Sequence, residues 1–269
     1  GYRSSAELES ELRWMAALDR AGLLVPRPVP SQRGRLLEEV DGHRVDLLTW
    51  LPGETLGDAL QADRAPDTER LFHAVGQHMA RLHAASDAWT PPAGFTRVRW
   101  DADGLLGEAP VWGRFWAHPG LSAEDQRLFT HFRSAAQRDL RGLLERLDFG
   151  LIHADLVREN LLLHGDRIGL LDFDDGGWGY RVFDLATTLL KFTGSADYPV
   201  ARDALLRGYR SVRLLDTATL DLFLALRAVT YVGWIVPRLG EEGARERSER
   251  YIATARRACL QHLSGRATP

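Results

Sequence analysis

His153-Ala154-Asp155-Leu156-Val157-Arg158-Glu159-Asn160, followed downstream by Leu171-Asp172-Phe173-Asp174-Asp175, decides how this chain is read. The first run follows a short apolar stretch, Gly150-Leu151-Ile152. The second ends another, Ile168 to Phe173. Acidic side chains at the ends of short apolar elements sit on loops that a rigid scaffold positions. Read as a continuing strand, Asp172 and Asp174 point to the same side. Carboxylate and amide oxygens suit hard cations such as Mg2+, above all where phosphates complete the shell. Phosphoryl transfer needs one carboxylate to orient a hydroxyl and separate carboxylate and amide oxygens for the metal. Here four residues separate Asp155 from Asn160, and Asp172 lies 17 residues after Asp155. The plain alternative is a solvated loop with capping acids. Order and spacing argue against it for Asp155, Asn160 and Asp172 as a set. For Asp174, Asp175 and Arg158 it stands beside a substrate-facing role.

Outward from these motifs, the chain divides into a mixed front and a helical body. Residues 4–21 predict a helix with Ser4 or Ser5 as cap, Glu7 in the first turn and Leu8, Leu12 and Met15 on one face. Gly22 ends it, and Val25-Pro26-Arg27-Pro28-Val29-Pro30 is extended. Arg35 to Val40 and Val45 to Trp50 predict two strands joined at Asp41-Gly42-His43. Residues 67–86 and 122–147 carry apolar side chains at helical spacing, and 182–264 is helical again. Leu161-Leu162-Leu163 and Ile168 to Phe173 flank a His164-Gly165-Asp166 turn and predict a second hairpin. Residues 91–120, rich in Trp, Pro and Gly, read as irregular. Trp100, Trp112 and Trp116 there serve either packing or as a stacking platform for an acceptor. Runs of strand and runs of helix, without βαβ alternation, argue for an α+β fold.

Composition narrows the function classes. The 269 residues can fill one large or two modest domains. A net charge of −3 gives no support for a nucleic-acid partner. One cysteine, Cys259, excludes an intrachain disulfide framework and a multi-cysteine zinc site, and fits a cytoplasmic setting. Lys191 is the single lysine among 34 basic residues, which reads as a compositional bias. Leu220 to Val236 is the most apolar stretch, but it carries Asp221 and Arg227 and is expected to be a buried helix; no membrane partner is expected. His73 and His78 do not share a helix face, and His83 reads as a packed histidine. Gly177-Trp178-Gly179 lacks the third glycine of a dinucleotide turn, and no Gly-x-Ser-x-Gly elbow occurs.

The run HADLVREN, LLDFDD and VFDLA, in that order, resembles the aminoglycoside phosphotransferase and choline kinase-like branch of the protein-kinase-like superfamily, which includes type II homoserine kinases and bacterial stress-response kinases. The resemblance extends over roughly residues 5–260. It takes in Trp50-Leu51-Pro52-Gly53-Glu54 and Ala80-Arg81-Leu82-His83. It implies a bilobal protein-kinase-like fold, with residues 1–52 a partial N-terminal nucleotide-binding lobe and 53–269 a helical lobe for catalysis and acceptor binding. It implies ATP as co-substrate, Mg2+, and a small-molecule hydroxyl acceptor. Asp155 is then the catalytic base, and Asn160 and Asp172 the metal ligands. His153 is the structural histidine, and Asp184 the buried aspartate that ties down the loop. Thr49, Trp50 and Leu51 form the hinge that meets adenine, and Glu11 pairs with a nucleotide-binding cation. The β lobe is truncated or lies outside this sequence, by roughly 40–60 residues for three strands of ordinary length. Glu11 is therefore expected to lack its cation. Asp174 stands where protein kinases carry the glycine of Asp-Phe-Gly. A serine/threonine protein kinase and a degenerate kinase-fold binding protein are the alternatives. Acids at 101, 103, 174 and 175 would suit a cationic acceptor.

Overall fold

The computed structural model describes residues 3–62, 67–165 and 167–265. Helix α1 (Ser5–Arg20) starts with a reciprocal capping box. Ser4 Oγ accepts the Glu7 N–H, and the Glu7 carboxylate accepts the Ser4 N–H. Its buried face is Leu12, Trp14, Met15 and Leu18. β1 (Leu37–Val40) and β2 (His43–Asp46) pair antiparallel with Val40 opposite His43. Asp41 and Gly42 between them both have positive φ, 51° and 76°, as the two-residue hairpin turn requires. The second strand thus starts and ends earlier than the apolar run Val45 to Trp50 predicts. Beyond it the backbone changes partner: Val29 N–H donates to Leu47 O and Thr49 N–H to Arg27 O. The Pro-rich segment, too stiff for helix, supplies that edge.

The chain continues through β3 (Glu54–Thr55), α2 (Leu56–Gln61) and α3 (Thr68–Ala88), then β4 (Arg99–Trp100), α4 (Ala102–Leu106) and α5 (Ala123–Leu143). The stretch expected to be irregular therefore holds a short strand and a short helix, the latter capped by Asp101. β5 (Phe149–Ile152) leads into the polar loop. β6 (Leu161–His164) and β7 (Arg167–Leu170) form the second hairpin, with β3 on its other edge. Asp166, expected in its turn, lies outside the described residues. β8 (Gly177–Tyr180) occupies the discounted Gly-Trp-Gly run. Helices α6 (Arg181–Leu190), α7 (Tyr198–Arg210), α8 (Leu220–Trp234) and α9 (Ala244–Gly265) complete the chain. The α+β class expected from the sequence is the one observed.

Two compact units emerge. The first comprises residues 1–98 and 150–215, the second 99–149 and 216–269. In the first, α3 and α7 approach at two glycines. A Cβ on Gly76 would overlap the Leu205 carbonyl oxygen, and one on Gly208 the His73 carbonyl oxygen. Trp14, Phe72, Phe173 and Phe183 fill its core. In the second, Trp100 is wholly buried and meets Trp112 edge-on. Trp116 lies under the Arg133 guanidinium at 3.9 Å. Leu220–Arg238 has the length and hydropathy of a membrane span, but 72% of it is buried inside the protein. It is a core helix, as the embedded charges suggested.

Candidate active site

The loop after β5 is anchored by one side chain. Asp184, in the first turn of α6, is completely buried. Its Oδ1 accepts the Ala154 N–H at 2.7 Å, and its Oδ2 accepts the His153 N–H at 2.9 Å and His83 Nε2–H at 3.0 Å. Tyr209 OH lies 2.7 Å from His83 Nδ1, so His83 is the neutral Nε2–H tautomer between an acid and a phenol. Burial holds the His83 pKa down at about 4. Burial raises the Asp184 pKa, but the His83 hydrogen bond and its charge partners prevail and the carboxylate sits below its usual range. Thr188 Oγ1 donates to Leu156 O further along the same loop. Ala154 is driven into the left-handed region, φ 64°, a conformation that costs an L-residue roughly 1–2 kcal/mol. Such strain persists only where the surroundings over-determine it, and the paired bonds to Asp184 do so here.

The turn carrying Asp155 closes on itself. Asn160 Nδ2 donates both to Asp155 O at 2.9 Å and to Asp155 Oδ2 at 3.0 Å. With its nitrogen so engaged, Asn160 presents its amide oxygen as a ligand atom. His153 Nδ1 accepts the Asp155 N–H at 3.4 Å, and its Nε2–H reaches Leu171 O at 2.9 Å. Burial lowers the His153 pKa and keeps the ring neutral. This one ring therefore ties the Asp155 loop to the strand end before Asp172. Arg158 points outward to Glu159 at 2.9 Å. Lys191, the single lysine, reaches the other Glu159 oxygen at 3.0 Å.

Asp172 does not continue a strand. β7 ends at Leu170, and Asp172 has φ 60°, so strand alternation with Asp174 does not hold. The chain turns here because three following carbonyls are captured by one cation. Arg97 Nε donates to Gly176 O at 2.6 Å, and Nη2 to Phe173 O at 2.7 Å and Asp174 O at 2.5 Å. Its Nη1 donates to Glu7 O at 3.1 Å and Glu11 Oε2 at 2.9 Å. Glu11, expected to lack a cation, thus has one, supplied from the segment after α3. Phe173 is packed between Trp14 and His153, with ring centroids 5.3 and 4.5 Å away. Asp174 and Asp175 are bound by Arg3, at 3.3 and 3.1 Å. Asp101 caps α4 and pairs with Arg99 at 2.8 Å. Three of the four acids read as attracting a cationic acceptor already hold arginines.

The structure thus brings Glu11, His153, Asp155, Asn160, Asp172, Asp174, Asp175 and Asp184 into one network within the first unit. Thr49, Trp50 and Leu51 lie on the extended segment after β2. There the Thr49 N–H and Oγ1 are both taken by the Arg27 backbone, and Trp50 is 93% exposed. His83, read as a packed histidine, is one, while Arg97, Arg3 and Tyr209 are participants that the motifs do not announce. Arg97 falls in the stretch read as irregular, and nothing local reveals that it is buried.

Asn160 and Asp172 offer one amide and one carboxylate oxygen, a hard donor set suited to Mg2+. Among the described residues no three His, Cys, Asp or Glu side chains form a cage. Mg2+ fits such a site, because it binds through one or two carboxylates and leaves the remaining positions to phosphate and water.

A buried aspartate bracing a His-x-Asp loop, with Asn five residues after that Asp and a second acid on an adjoining turn, defines a protein-kinase-like phosphotransferase. The model of a phosphotransferase enzyme family matches residues 1–223, and the chain belongs to that family. A homoserine kinase of Allorhizobium ampelinum is 30% identical over 234 residues, covering 84% of this chain and 66% of that protein's length. A microcompartment-associated aminopropanol kinase superposes with a TM-score of 0.84 at 31% identity, covering 98% of this chain and 83% of that one. An amicoumacin kinase solved with AMP-PNP, Ca2+ and Ami shares the fold, with a TM-score of 0.73 at 21% identity over 94% of this chain and 78% of that one. The family read from the two acidic motifs is the one the chain belongs to.

Proposed function

We propose that this protein transfers the γ-phosphate of ATP to the hydroxyl of a small amino alcohol. The observation that carries the reading is the interlocked loop: Asp155 held by Asn160, the His153 and Ala154 N–H groups just before it held by Asp184, and Asp172, at positive φ, next to the Leu171 carbonyl that His153 reaches. Asp155 orients the acceptor hydroxyl and takes its proton as the bond to phosphorus forms. Asn160 and Asp172 would hold Mg2+, which when bound neutralises phosphate charge. The remaining catalysis is positioning by groups that need not rearrange. Residues 1–52 serve the nucleotide, with Thr49 to Leu51 against adenine and Glu11 on the phosphate side. Residues 53–269 supply the base and the acceptor pocket. Arg158 lies on the loop's outer edge, where it can meet phosphate. A cytoplasmic location suits ATP supply.

The acceptor class rests on the named relatives, whose acceptors, homoserine and aminopropanol, each carry an amine and a hydroxyl. A panel of amino alcohols, amino sugars and a generic protein substrate, with ATP consumption as readout, tests it. Turnover with an amino alcohol is expected. No acceptor-dependent ATP consumption across the panel sinks the reading, and phosphate on protein alone replaces it with a protein kinase.

A further inference from the structure

Arg97 lies on no motif, yet each of its five N–H groups has an acceptor: the carbonyls of Glu7, Phe173, Asp174 and Gly176, and the Glu11 carboxylate. Its side chain is wholly buried and Glu11 is 16% exposed, so the pair is costly to desolvate. That cost lowers the Arg97 pKa and raises that of Glu11. The three carbonyls on its Nε and Nη2 sides all belong to the turn just after Asp172, whose own φ is 60°. The two acceptors on Nη1 belong to α1. The fork therefore sets the backbone that aims Asp172 and keys it to the helix carrying Glu11.

We propose that Arg97 is a positioning residue for the phosphotransfer centre: its guanidinium presets the Phe173–Gly176 turn, and with it the direction of the Asp172 carboxylate, before metal and nucleotide arrive. The consequence for metal rests on the phosphotransferase reading, whereas the consequence for the turn does not. Lysine cannot substitute, because an ammonium has three donors and no planar fork.

The test uses the full chain as Arg97→Lys and Arg97→Ala. Hydrogen exchange is followed at the Asp174 and Gly176 amides without metal or nucleotide. Mn2+ binding in the presence of a nonhydrolysable ATP analogue is followed by electron paramagnetic resonance. In both variants exchange at Gly176 is expected to rise at least tenfold, while exchange in α7 stays as in the parent. Mn2+ affinity and the KM for Mg·ATP are expected to weaken at least tenfold, with the acceptor KM within twofold. Added guanidine should restore Arg97→Ala in part but leave Arg97→Lys unchanged. Parent-like exchange in Arg97→Lys overturns the proposal, as does parent-like Mn2+ binding in a variant whose turn is loosened. Should Arg97→Ala not fold, Arg97→Lys decides. If the parent protein itself binds no Mn2+ with nucleotide, the phosphotransferase reading fails, and the exchange measurement still judges the clamp.

Discussion

Two aspartates 29 residues apart in the chain do opposite work. Asp184 touches nothing that reacts, yet its two oxygens take two backbone N–H groups and a histidine. Asp155 is half-exposed, and the Asn160 amide donates to it. Substitutions should separate them. Asp155→Ala is expected to lower kcat by about 10²–10⁴, the usual worth of a positioned base, with an unchanged melting curve. Asp184→Ala strands buried donors and should cost roughly 3–5 kcal/mol of stability, seen as a lowered urea midpoint. Equal loss of stability in both would refute the division. At this scale the clustering of the motif acids was legible from their order and spacing, since the loop and the turn that carry them are joined through His153 and Asn160. Arg97 and Arg3 were not. Their acceptors lie 76 to 172 residues away in the chain, and an arginine beside Thr and Val carries no local sign of burial.

Among the elements, α1 and α3 show what periodicity reveals and what it hides. The helix start was legible as Ser4 or Ser5 with Glu7 in the first turn; the structure selects Ser4 as the cap, and Ser4→Ala should cost about 1 kcal/mol by thermal or urea unfolding. Gly76 was not legible as a contact point. In an isolated helix, alanine there would gain roughly 1 kcal/mol. In the protein the added Cβ meets the Leu205 carbonyl and the Tyr209 amide, so Gly76→Ala is expected to destabilise by about 1–3 kcal/mol. A stabilised Gly76→Ala would show that the α3–α7 approach relaxes freely. The strand reading of Asp172 failed for a related reason. An apolar run says where a strand can be, but here the turn is set by hydrogen bonds to Arg97, which no run encodes.

Over the whole molecule, buried histidines link stability to acid. His83 is wholly enclosed, and its pKa falls from 6.5 to about 4. Burial also lowers those of His78, His118 and His153. The unfolded chain therefore binds protons that the folded chain refuses as pH drops below 6.5. By linkage, stability contributed by a depressed histidine is present above 6.5 and is lost as pH falls toward 4. Each such group adds at most ~1.4 kcal/mol per pH unit to the slope. Asp184 extends the trend, since its lowered pKa adds a further loss below its unfolded value of 3.8. His83 should dominate because protonating it also breaks the chain from Tyr209 through Asp184 to the His153-Ala154 backbone. Urea midpoints measured from pH 7 to 4.5 should fall steeply in the parent protein. In His83→Gln, whose amide can still donate toward Asp184 but cannot take a proton, the fall should be shallower by up to one proton's slope, from a lower starting stability. Parallel curves for the two proteins would mean that His83 titrates alike folded and unfolded, and the acid lability would then be carried by other groups, the remaining depressed histidines and lowered carboxylates.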